Sequence, residues 1–144
     1  MLKRIKEKLP RLIIYLMILV VVILILTPVL QHYRKVTEAR TILSEAKNVQ
    51  LTMRLLSIQY NANGQSIYDP AADGGMSEAT AKEVADMSGA EGEIILLSWN
   101  HAYEKPERFL YRSGDYMVIY QYELDRDQDT WEVNELNRIL DPGK

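Results

Sequence analysis

The side chains best suited by type to hold a metal ion are two histidines, His32 and His101, and three alternating aspartates, Asp125, Asp127 and Asp129. The histidines are distant in sequence and lack companion ligands at metal-site spacing, so they read as ordinary surface or interface residues. The aspartates begin like a calcium loop. The sixth loop position, where the turn needs glycine, is Thr130, and the twelfth is Leu136 in place of glutamate. A solvated acidic turn is the better reading. No cysteine is present, which removes disulfides, thiolate metal sites, thiol nucleophiles and lipid attachment through sulfur. Nor is there a nucleophile elbow, a P-loop or a dinucleotide fingerprint, so the expectation is of a protein without enzymatic activity, cofactor or metal. Trp99, Tyr103, Tyr111, Tyr116, Tyr120, Tyr122 and Trp131 gather late in the chain. Aromatics favour strands, so cross-strand and core packing is their default use.

The elements that must position these residues begin with an apolar run. Positions 12 to 30, LIIYLMILVVVILILTPVL, carry no charge. As a helix this run is roughly 28 Å long, close to the hydrocarbon thickness of a bilayer. It has no polar face, unlike the core helix of a small domain. A secretory signal peptide is the competing reading, but the run exceeds the usual signal core and no small-x-small site follows in TPVLQHY. The expectation is an uncleaved, single-pass transmembrane helix.

Charge orients it. Residues 1 to 11 hold Lys3, Arg4, Lys6, Lys8 and Arg11 against Glu7, a net +4; the whole chain is −3, so everything from Leu12 onward sums to −7. Basic flanks stay on the cytoplasmic side, which makes 1–11 a cytoplasmic basic segment and 31–144 an extracytoplasmic domain. An outer balance of −7 also opposes a nucleic-acid partner, because phosphate binding needs a basic surface.

Past the span, Val36, Ala39, Leu43, Ala46, Val49, Met53, Leu56 and Tyr60 recur at spacings of three and four. Arg34, Lys35, Glu38, Arg40, Glu45, Lys47 and Arg54 fall between them as a solvated face. No proline or glycine lies between Gln31 and Ala62, so the helix should continue to Ala62, with Pro28 kinking it and Leu9 marking its start, since Pro10 disfavours helical backbone at the residue before it. A loop over Asn61–Met76 leads to a short helix capped by Ser77 and closed by Gly89. Strands follow at Glu93–Trp99, Arg108–Arg112, Tyr116–Glu123 and Thr130–Glu135, the middle pair joined at Ser113-Gly114-Asp115. The fold class is α+β, a long helix packed on a four-stranded antiparallel meander. Leu43, Val49, Met53 and Leu56 are expected beneath that sheet.

This order resembles the type IV pilin family and its pseudopilin relatives. Pro28, Gln31 and Tyr33 in TPVLQHY carry the likeness, with the Glu38-Ala39 and Glu45-Ala46 steps after them. EGEIILLSW, FLYRSGDYMVIY and TWEV are similar to strand segments of pilin-like proteins from Gram-positive bacteria. Two departures stand out. Pilins carry a glycine ahead of the apolar stretch as the leader cleavage site, whereas the first glycine here is Gly64. They also place a glutamate early in that stretch, and the matching place falls near Arg11. The resemblance implies a bacterial membrane protein, a minor or accessory component of a type IV pilus or secretion system. Its partners would be the membrane itself, and pilin-like subunits or envelope assembly proteins met through the N-terminal helix. Residues expected to pack or interact are Pro28, Gln31, Tyr33, Val36, Ala39, Leu43, Ala46, Val49, Met53 and Leu56. The alternative is a bitopic sensor or adaptor whose outer domain binds an extracellular or envelope partner.

Overall fold

A computed structural model describes residues 2–136, with side chains from residue 10 onward. The elements are α1 (Leu2–Ala62), α2 (Glu78–Ser88), β1 (Glu93–Asn100), β2 (Lys105–Ser113), β3 (Tyr116–Glu123) and β4 (Gln128–Glu135). Two compact units divide the chain, Met1–Glu38 and Ala39–Lys144. α1 starts at Leu2, ahead of Pro10, and both Pro10 and Pro28 lie inside it. Leu, Lys, Arg, Ile and Glu dominate the turns before Pro10, and their helix propensity carries the element past a residue that removes one hydrogen bond and crowds the preceding turn. The basic side chains of Lys3, Arg4, Lys6 and Lys8 fall outside the described residues.

In the first unit every residue from Leu12 to Leu30 is exposed. The stretch is long and apolar enough to cross a membrane.

The second unit is an α+β domain. Its sheet is an antiparallel meander in the order β1-β2-β3-β4. Period-two alternation sends Phe109 and Tyr111 from β2, and Tyr116, Val118, Tyr120 and Tyr122 from β3, into one core. β1 would break that alternation, since Leu96 and Trp99 are both buried. A register irregularity on each side of Ser98 shifts the phase, and both side chains reach the core face. The other wall of the core is the line Ile42, Ala46, Val49, Met53 and Leu56 of α1. Leu43 and Ala39 pack at its margin. The helix stripe and the sheet therefore bury each other's apolar faces.

α2 is bounded as its sequence demands. Ser77 accepts from the Thr80 amide at the start, and Gly89 ends it in the left-handed region at φ 70°. The loop between α1 and α2 meets the β1 edge, with the Leu96 amide donating to the Gly74 carbonyl at 2.8 Å. Gly75 is required there. A Cβ on it would sit 1.8 Å from the Leu96 carbonyl oxygen, and its φ is +74°.

Candidate interaction surface

The polar groups of the Ala39–Lys144 unit are used chiefly to join its elements. Tyr111 is the clearest case. Its buried hydroxyl donates to Glu45 of α1 at 2.7 Å and accepts from the Gly92 amide at 3.0 Å, fixing helix, sheet and loop at one point. Burial, and then the hydrogen bond to the Glu45 carboxylate, raise the Tyr111 pKa, because both favour the protonated phenol. Glu45 is thus half-buried and bonded to the sheet, not part of a solvated face.

Two of the late aspartates, Asp127 and Asp129, work the same way, while Asp125 is exposed. Tyr120 donates to Asp129 at 2.7 Å and Tyr122 to Asp127 at 2.6 Å. The Tyr122 phenol is pushed up to about 12, first by that carboxylate acceptor and then by burial; Tyr120 is also raised, mainly by burial. Gln50 of α1 reaches Asp129 at 3.5 Å. Asp127 adopts φ 48°, an αL turn position, which is how the β3–β4 turn presents its carboxylate to Tyr122. His32 is exposed on α1 and His101 is exposed in the β1–β2 turn. Among the described residues, no group of three or more potential ligands gathers for a metal ion.

An open cleft of about 540 Å³ lies between the loop after α1 and the start of α2, lined in part by Tyr60, Tyr68, Ser77 and Thr80. Its hydroxyls are engaged within the fold. Tyr60 donates to Glu83 at 2.8 Å, Ser77 meets Thr80 at 2.8 Å, and Tyr68 donates to the Leu97 carbonyl at 3.2 Å. The cleft is a joint between α2 and α1.

Much of the apolar surface left exposed lies on α1, with Leu97, Tyr103 and Leu124 exposed in the sheet region. Pro28, Gln31, Tyr33 and Val36 are exposed. Ala39 and Leu43 are half-buried against the core, while Ala46, Val49, Met53 and Leu56 are fully enclosed by the sheet. The last four therefore act inside the domain. A second apolar line, Leu51, Leu55 and Ile58, lies exposed on the same helix. Its spacing of four and three is the signal that could have found it, but the richer stripe beside it accounts for the helical period unaided.

The chain matches no family model, no curated protein and no solved structure.

Proposed function

We propose that this chain is a membrane-anchored, pilin-like structural protein of a bacterial envelope, serving as a minor or accessory subunit of a type IV pilus or secretion apparatus. One observation carries the reading: a single helix, α1, supplies both an apolar stretch of bilayer length and the buried spine of a four-stranded antiparallel sheet. The basic start holds the N-terminus in the cytoplasm, and the acidic sheet domain faces outward. Function is packing. The apolar stretch, which includes Pro28, and Gln31, Tyr33 and Val36 just beyond it associate with helices of like subunits or envelope assembly proteins. The bonded tyrosines and carboxylates described above support this over catalysis, since they hold elements together.

Gentle extraction of the full chain from the membranes of its own cells tests the reading. The expected result is recovery in a complex with further copies or with other single-span, helix-anchored chains, and removal of the sheet domain by protease added to intact protoplasts. Recovery as a lone monomer, or a sheet domain protected from that protease, contradicts it.

A further inference from the structure

Two features of the Ala39–Lys144 unit are exposed and complementary. The first is the outer line of α1. Leu51, Leu55 and Ile58 are 55, 54 and 67 % exposed. Arg40, Lys47 and Arg54 follow one another at heptad spacing beside that line, and no exposed described residue of α1 after Ala39 is acidic. The second is the β3–β4 turn. Leu124 at its tip is 54 % exposed, flanked by Glu123, Asp125, Asp127 and Asp129. Arg126 is the one basic residue there, and it pairs with Glu123 at 3.4 Å, leaving the turn acidic.

An aliphatic line with a basic margin and a leucine with an acidic margin match in apolarity and are opposite in charge. Within one chain Leu51, Leu55, Ile58 and Leu124 all stay exposed; Asp127 and Asp129 also bond to Tyr122 and Tyr120, and Lys47 lies 5.8 Å from the Trp131 ring centre, so the apolar surfaces are what the fold leaves uncovered. We propose that a second copy of this chain seats its Leu124 turn on the Leu51, Leu55 and Ile58 line of the first. The proposal rests on the self-association reading above and names the contact. The contact is taken as heterologous, each copy offering its Leu124 turn to one neighbour and its Leu51 line to another, so that it repeats from copy to copy; reciprocal docking on a two-fold axis would stop at dimers. It is small, which suits chains confined to one membrane, where effective concentration is high.

The absence of native cysteine makes the test clean. Full-length L55C and L124C chains with different tags are reconstituted together in phosphatidylcholine vesicles, with and without phosphatidylglycerol, and oxidised mildly. The mixed L55C–L124C disulfide should exceed both self-pairs, and a chain carrying both substitutions should give a ladder of multimers. L51C replaces L55C if that variant folds poorly. Lys47→Glu should lower the mixed product about fivefold, and D125K in the partner should restore it. If tagged copies co-purify but L55C pairs mainly with itself or not at all, this contact is wrong while self-association stands. If no copies associate, both fall. If phosphatidylglycerol alone protects L55C from a water-soluble thiol reagent, the line binds lipid and the proposal is overturned.

Discussion

Leu12–Leu30 and Ile42–Leu56 belong to one helix and draw on the same aliphatic residues, yet they meet different surroundings. The first stretch has no polar side, and every residue in it is exposed. The second is interrupted by charge and amide, and only one line of it is buried, under Phe109, Tyr111, Val118 and Tyr120. Missing charge separates the first stretch from the second, and period then tells which side of the second is buried. A helix apolar all round finds its partner in lipid, whereas one with a single stripe finds it in a sheet. Within the second stretch the contrast repeats on a smaller scale, Met53 inside and Leu51 outside.

The strongest way to break this comparison is to truncate side chains on each face. Phe109→Ala should cost about 3–5 kcal/mol and Met53→Ala about 2–5 kcal/mol of domain stability, since both side chains are fully buried. Leu51→Ala should stay within about 0.5 kcal/mol. Denaturant unfolding of the full chain in detergent, followed by fluorescence of buried Trp99, gives the numbers. Equal losses at Leu51 and Met53 would erase the distinction between the faces.

A charge placed in each stretch sharpens the other half. Val21→Arg near the middle of the apolar run should oppose membrane insertion by about 2.5–3.5 kcal/mol. Leu51→Arg, on the exposed line, should leave insertion unchanged. Carbonate extraction of the expressed variants reads the difference.

The smallest effect concerns pH and belongs to the sheet domain alone. Tyr122 carries a phenol raised to about 12 from an ordinary value of 10 by its bond to Asp127. A raised folded-state value means this contribution is complete below pH 10 and is lost as pH climbs toward 12. Tyr122 should therefore add no pH dependence to stability through neutral pH, and its contribution should fall above pH 10. Tyr122→Phe should flatten part of that alkaline fall, measured by tyrosinate absorbance alongside unfolding.

Much of this was legible from residue pattern. The apolar stretch needs only its length and missing charge, and α2 is announced by Ser77 and Gly89, which cap it as their chemistry requires. The strand order and most of the buried stripe of α1 follow from periods of two and of three to four, but Ile42 takes the buried place expected for Leu43, which is half-buried at the margin. Boundaries were less legible. β2 starts at Lys105 and includes Pro106, a residue that argues against a strand; it is admitted opposite Trp99, where the irregularity around Ser98 already interrupts the ladder. α1 likewise begins before Leu9. The Tyr111–Glu45 and Gln50–Asp129 bonds link residues 66 and 79 positions apart, and no local pattern encodes such pairs. The exposed line of Leu51, Leu55 and Ile58 was hidden for a different reason: a helix with two apolar lines shows one dominant period, and the buried line supplies it.

Cysteine scanning of α1 tests the two-environment account most directly, because the chain has no cysteine of its own to interfere. Single cysteines placed from Leu12 to Ile58 in the membrane-embedded full chain are challenged with a charged, water-soluble thiol reagent. The account predicts no labelling from Leu12 to Leu26, then labelling beyond Ala39 that follows the helix period, strong at Arg40, Ser44 and Asn48 and absent at Ala46, Val49 and Met53. Labelling throughout the apolar stretch, or equal labelling at Asn48 and Val49, would contradict it.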